Sequence, residues 1–153
     1  MTQQNQSSRI AGIQLEQLYN HAPVGLAFMD TELRFVRINE RLAAINGPSV
    51  EAHIGRTLSE IIPEIAPTIE PIYRRVMETG EPRLAFEVRG KTASVPPKDL
   101  IAIVSYLPLI ADGRVLGAHT VVQDVTESRN LQEVLLKVAE REQRGASDRS
   151  FTM

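Results

Sequence analysis

The side chains that could perform catalysis or bind a metal are few and lie far apart in this sequence of 153 residues. Cysteine is absent, which excludes disulfides, thiolate metal sites and cysteine nucleophiles. The histidines His21, His53 and His119 have no spacing typical of a metal site. His53 is expected on a short exposed helix, and each histidine is expected to have an ordinary surface or hydrogen-bonding role. The sequence therefore predicts no catalytic residues and no metal site.

Composition and charge exclude several other classes of protein. The hydrophobic fraction of 42% and the charged fraction of 24% are those of an ordinary soluble domain. A net charge of −2 provides no basic field for nucleic acid. The longest mostly apolar run, 100–111, is too short to span a bilayer, and the polar amino terminus lacks a signal-peptide core. We expect a cytoplasmic protein that binds neither nucleic acid nor membrane.

The apolar pattern predicts one α+β domain between two flanking helices. Short helices and strands linked mainly by hairpins favour an antiparallel sheet with helices over one face. The expected divisions are a disordered lead at 1–9, a flanking helix at 10–22, the folded domain at 23–126, a C-terminal helix at 127–144 and a disordered tail at 145–153.

Local signals mark where the helices begin and end. Asn39 and Thr57 are expected N-caps, the latter in a capping box with Glu60. The longest helix of the middle cluster is expected to end just before Gly80. After Asp124 the apolar period changes from two to about 3.5, which predicts a final strand followed by a helix.

Four segments resemble the PAS domain family, of the bacterial type. At 29–39, a strand ends in Asp, a turn follows, and a second strand reaches an Asn. Ile-Gly-Arg-Thr-Leu at 54–58 resembles the family's Gly-Arg/Lys step, and 105–117 resembles its last hairpin. Asp-Val-Thr-Glu at 124–127 resembles the junction between the last strand and the outgoing helix. The resemblance implies a five-stranded antiparallel sheet in the order 2-1-5-4-3.

The resemblance also implies a small apolar cavity between the sheet and the longest middle helix. The hydroxyls of Tyr73 and Tyr106 would be available to a ligand there, or these side chains would simply pack the core. The candidate pocket residues are Met29, Ile38, Leu58, Tyr73, Phe86, Val104, Tyr106, Thr120 and Val122.

Two kinds of cofactor chemistry known in this family, the cysteinyl adduct of a flavin and heme binding, do not fit the sequence, whereas flavin binding without an adduct stays open. A flavin-binding light sensor of the LOV type needs the Cys of a Gly-Arg-Asn-Cys motif, and Leu58 stands at that position, so cysteinyl-adduct photochemistry is excluded. A heme-binding member supplies a histidine from the long helix, and residues 69–77 contain none, so heme is not expected. The identity of any cofactor remains open.

The junction after the last strand is the candidate route for a signal. Asp124 is expected to accept N–H groups of the helix start, Thr126 to cap the helix, and Arg129 to pair with Asp124. The resemblance implies that conformational change passes here from pocket to effector. The alternative is a plain helix cap.

The outgoing helix carries a short apolar stripe that favours a homodimer. Its members are Leu131, Val134, Leu135 and Val138. Supported by contacts between domains, two such stripes could pair. The chain contains no recognisable effector, so a signalling partner or a fused effector is expected to transmit the output.

The sequence therefore predicts a non-catalytic sensory module that binds a small molecule, dimerises, or does both. One alternative is a ligand-free scaffold for protein–protein interaction in signal transduction. A small enzyme with a carboxylate in the pocket is the other alternative, but the inward strand positions offer no carboxylate or histidine.

Overall fold

A computed structural model of the protein describes residues 3–150, with side chains for residues 5–144. It contains six helices and five strands within that range. In chain order they are α1 (Gln3–His21), β1 (Gly25–Asp30), β2 (Phe35–Ile38), α2 (Glu40–Asn46), α3 (Val50–His53), α4 (Leu58–Ile61), α5 (Ala66–Thr79), β3 (Arg83–Lys91), β4 (Asp99–Ala111), β5 (Arg114–Asp124) and α6 (Thr126–Ser150).

The strands form one antiparallel sheet in the order β2-β1-β5-β4-β3. This confirms the predicted α+β fold and strand order. In the central strands, Ala27 lies opposite Thr120, and Thr120 lies opposite Tyr106. Because side chains alternate along a strand, this row lies on the inner face of the sheet, which α2 to α5 cover.

Three short polar side chains fix the starts of the small helices. In each case the side chain accepts a hydrogen bond from the backbone N–H three residues later. The pairs of acceptor and donor are Asn39 and Leu42, Ser49 and Ala52, and Thr57 and Glu60. Asn39 is fully buried, and its amide also donates to the carbonyl oxygens of Tyr19 and Val24 at 2.8 and 3.1 Å. It therefore ties α1, β1 and α2 together.

A glycine lets α2 lie directly on the sheet. A Cβ at position 25 would be 2.9 Å from Leu42 Cβ, a separation that leaves no room for a side chain. The space that the small residues of β1 leave is therefore filled in part by Leu42, which is itself buried.

The flanking helices are longer than the sequence predicted. α1 begins at Gln3 rather than residue 10, because the polar residues of the expected disordered lead include no proline or glycine to stop a helix. α6 begins at Thr126 and runs through 145–150, the first part of the expected disordered tail. Gly145 alone costs a helix only about 1 kcal/mol relative to alanine. The predictions for residues 1–2 and 151–153 lie outside the described residues.

Candidate functional site

An apolar cavity lies between the inner face of the sheet and the helices α4 and α5. Its volume is about 50 Å³, which is small for a ligand-binding cavity. None of the described residues that line it carries a formal charge. Seven of the predicted pocket residues line it, namely Met29, Leu58, Tyr73, Val104, Tyr106, Thr120 and Val122.

The other two predicted pocket residues lie outside the cavity wall. Ile38 is buried, but it sits on the edge strand β2, opposite Ala27. Phe86 is half-buried on β3, where the strand register shifts, and its ring packs against Tyr106 at 5.3 Å. Both residues support the core beside the cavity rather than its wall.

Most of the lining that sequence reasoning missed comes from the helices and from the far ends of strands. Its members are Phe35, Leu42, Ile45, Asn46, Ile62, Ile65, Ile69, Val88, Leu100 and Ala102. Leu42, Ile45 and Asn46 lie on α2, which has seven residues, too few for its apolar period to show which face lies inward.

Two tyrosines provide much of the polarity at the cavity. The Tyr73 hydroxyl donates to the carbonyl oxygen of Ala118 at 2.9 Å and lies 3.1 Å from Thr120 Oγ1. The rings of Tyr73 and Tyr106 are 4.3 Å apart. Burial raises the pKa of both hydroxyls, and for Tyr106 the neighbouring Tyr73 adds to that rise. Both hydroxyls are therefore neutral hydrogen-bonding groups.

Tyr73 and Tyr106 differ in how their hydroxyls are used. The Tyr73 hydroxyl is hydrogen-bonded to the backbone of β5. This is a role in packing the core, one of the two roles that the sequence left open for this residue. The Tyr106 hydroxyl takes part in none of the side-chain hydrogen bonds found among residues 5–144. It is therefore the tyrosine group available to a molecule inside the cavity.

A buried histidine stands behind the cavity wall. His53 is fully buried, which corrects the expectation of an exposed position on α3. Its Nδ1 lies 2.7 Å from the Ser49 carbonyl oxygen, and its Nε2 lies 3.2 Å from Asn46 Nδ2. Phe35 contacts the ring edge to face at 5.0 Å. Burial lowers the pKa of His53, against a smaller opposite effect of the Ser49 hydrogen bond.

Two side chains separate the cavity from an open groove outside. Ile45 and Leu100 line both spaces. The groove lies between α2 and the first turns of α6, where Leu131 and Val134 form part of its wall. The wall between the two spaces is thus one side chain thick.

The junction between β5 and α6 is held by hydrogen bonds to β4. Thr126 Oγ1 accepts from Ile101 N at 2.9 Å, and Val125 N donates to the Ile101 carbonyl oxygen at 2.9 Å. Asp124 Oδ1 accepts from Thr126 N at 3.0 Å and from Thr126 Oγ1 at 2.6 Å. Asp124 thus accepts the N–H group of the first helical residue, whereas the Thr126 hydroxyl, which was expected to cap the helix, bonds to β4 and to Asp124.

Arg129 does not make its predicted ion pair with Asp124. Its guanidinium lies 2.7 Å from Glu87 Oε1 on β3. Asp124 is already engaged by Thr126, and one helical turn carries Arg129 across to the edge strand. This pair links α6 to β3, which sequence proximity could not indicate.

A family model for the PAS fold matches residues 19–130. The chain belongs to the PAS family. It is thus assigned to a family of sensory and signalling modules, and the match includes the cavity and the β5–α6 junction. No curated protein sequence matches the chain.

Solved structures with the same fold include regulators and isolated PAS domains. A VqmA dimer of Vibrio cholerae, described as a LuxR-type receptor without its target DNA, is 22% identical with a TM-score of 0.60 over 76% of this chain and 52% of that one. A PAS domain of Colwellia psychrerythraea is 14% identical with a TM-score of 0.62, over 74% and 96%. The chain thus spans about half the length of the VqmA chain.

A third solved structure contains a small molecule. It is the PAS domain of a LuxR-family transcriptional regulator from Burkholderia thailandensis in complex with ethanol. It is 17% identical, with a TM-score of 0.53 over 72% of this chain and 96% of that one. At these identities the likeness shows a common fold.

The flanking helices of this PAS chain expose apolar side chains. The predicted dimer residues Leu131, Val134, Leu135 and Val138 are 48–62% exposed on α6. On α1, Ile10 and Ile13 are also exposed. Among the described residues, no helix is long and apolar enough to cross a membrane, and no cluster of three metal-ligating side chains occurs.

Proposed function

We propose that this chain is a non-catalytic PAS sensor that binds a small neutral molecule in its cavity. The uncharged lining, which includes the buried Tyr106, supports this proposal. A charged ligand would lose its hydration without gaining a counter-ion, which is costly in an apolar interior. Drug-sized ligands occupy pockets of about 300–1,000 Å³, so a space of about 50 Å³ favours a molecule of few heavy atoms.

Native mass spectrometry of the freshly purified protein tests this proposal, with the denatured mass as reference. We expect a small non-covalent adduct that is lost in Ala102→Leu, because Ala102 lines the cavity and its larger replacement would fill it. Ala111→Leu is the matched control, since Ala111 lies on the same strand but is exposed. An adduct that survives Ala102→Leu would place the ligand elsewhere and contradict the proposal.

The signal would leave through α6. Thr126 and Asp124 tie the helix start to β4, and Arg129 ties it to β3. Strands β4 and β5 supply Val104, Tyr106, Thr120 and Val122 to the cavity wall. A ligand that shifts these strands would therefore move the base of the helix.

We propose that two such chains form a homodimer through their flanking helices. The exposed apolar stripe of α6 needs a partner, because an isolated helix of this kind is marginal in water. Sedimentation should show a dimer that Leu135→Lys weakens and Gln132→Lys, at an exposed polar position, does not. A wild-type monomer at high micromolar concentration would contradict this part of the proposal.

A ligand-free scaffold is the second candidate, and the small size of the cavity favours it. Such a scaffold would act by binding signalling partners, and its cavity would be a packing defect. A chain that retains no molecule in native mass spectrometry and shows no shifts of cavity resonances with added small neutral probes would support the scaffold. The expectation that the chain binds no nucleic acid stays a prediction.

A further inference from the structure

A chain of hydrogen bonds behind the cavity fixes the orientation of one wall residue. The Ser49 carbonyl oxygen can only accept, so His53 Nδ1, 2.7 Å away, must carry the proton that it donates. In a neutral imidazole the other nitrogen is then an acceptor. Asn46 Nδ2 lies 3.2 Å from that atom, Nε2, and therefore donates to it.

The surroundings of His53 keep it neutral. The ring is fully buried, and Phe35 packs against it. Burial is the main cause that lowers its pKa, and no charged side chain is among the causes. The acceptor character of Nε2 therefore holds at neutral pH.

The fixed amide leaves one polar atom of Asn46 for the cavity. Asn46 is 6% exposed and lines the cavity. With Nδ2 turned toward His53, the carbonyl oxygen Oδ1 is the acceptor that remains, and none of the side-chain hydrogen bonds among residues 5–144 uses it. A molecule that donates to this acceptor would gain a hydrogen bond that a molecule without a donor cannot make, and would be selected over it.

We propose that Asn46 determines ligand specificity by accepting a hydrogen bond from an N–H or O–H of the neutral ligand, and that His53 is the positioning residue that holds its amide. This inference rests on the proposed ligand-binding function. It adds to that proposal the chemical class of the ligand, a small neutral hydrogen-bond donor.

Pyrrole and furan are the probes that test it. Both are neutral five-membered rings of nearly the same shape, and only pyrrole carries an N–H donor. Titrations followed by two-dimensional amide NMR should show pyrrole binding about 2- to 10-fold more tightly than furan, the effect of one net hydrogen bond. Equal affinity of the wild-type protein for both probes would overturn the inference and leave the proposed function standing. Failure of both probes to shift cavity resonances would overturn both.

Variants of Asn46 distinguish a loss of ligand specificity from a general disturbance of the structure. Asn46→Leu should abolish the preference for pyrrole, whereas Asn46→Asp should retain it, because a carboxylate that pairs with a protonated His53 still offers an acceptor oxygen. Asn130→Leu, at an exposed site, is the control and should behave as wild type. A preference that survives Asn46→Leu would overturn the inference.

The nitrogen chemical shifts of the His53 ring give a readout that does not depend on any variant. They should identify a neutral ring protonated at Nδ1 in the wild-type protein. A ring protonated at Nε2 would reverse the amide of Asn46 and overturn the inference. His53→Phe should reduce the preference for pyrrole without abolishing binding of furan, since the amide would be free to turn.

Discussion

Replacing Thr126 with valine tests whether the β5–α6 junction depends on one hydroxyl. Valine has nearly the same shape as threonine but cannot hydrogen-bond. The substitution removes the acceptor of Ile101 N at 2.9 Å and the donor to Asp124 Oδ1 at 2.6 Å. Ile101 is 8% exposed, so water has little access to the N–H group that loses its partner.

The size of the effect follows from that unpaired N–H group. A buried donor left without a partner costs about 1–3 kcal/mol, and we expect the free energy of unfolding to fall by that amount. For a chain of this length each kcal/mol lowers Tm by about 2–4 °C. Urea unfolding at one fixed protein concentration measures the change, since a dimer's stability depends on concentration.

Local hydrogen exchange distinguishes this cause from a general loss of stability. In Thr126→Val the Ile101 amide should exchange faster under native conditions, together with the first turn of α6. Thr68→Val, at an exposed position of α5, is the matched control and should change stability little. An unfolding free energy within about 0.5 kcal/mol of wild type, with an unchanged Ile101 exchange rate, would refute the reasoning.

Three further predictions concern other hydrogen bonds of the site. Asp124→Ala should lower the free energy of unfolding by about 0.5–2 kcal/mol through loss of its bonds to Thr126; unchanged urea unfolding together with unchanged helix content would count against it. Tyr73→Phe removes the donor to the Ala118 carbonyl oxygen and should cost about 0.5–1.5 kcal/mol in the same assay; an equally stable variant would show that this bond contributes nothing net. Because burial lowers the pKa of His53 below its ordinary 6.5, the unfolded chain binds the extra proton and stability should fall as pH drops below about 6.5. His53→Gln should flatten that dependence, and an unchanged slope would assign it to another group.

Features that depend on neighbouring residues could be predicted from the sequence. The N-caps Asn39 and Thr57 could be predicted because the side chain of each accepts a hydrogen bond from a backbone N–H only three residues further along the chain. The resemblance to the PAS family implied that Thr120 and Val122 face inward, and the burial pattern of β5 agrees with the two-residue period of a strand. The family register thus placed five residues on the sheet side of the cavity, namely Met29, Val104, Tyr106, Thr120 and Val122.

Features that depend on distant residues could not be predicted. Arg129 forms its ion pair with Glu87, which lies on an edge strand and is distant in sequence. The sequence favoured Asp124 as its partner only because Asp124 is near in the chain. His53 and Asn46 meet because the chain turns sharply at Gly47, where φ is 113°. A four-residue helix gives no period from which burial of His53 could be inferred.

Because the wall between the cavity and the groove is one side chain thick, a change in the volume of the cavity can change the width of the groove. Ile45 and Leu100 each present one side to the cavity and another to the groove beside α6. An occupant that displaced either side chain outward would narrow the groove where Leu131 and Val134 stand. The distance between α2 and α6 at the surface would then depend on the size of the ligand as well as on its hydrogen-bonding groups.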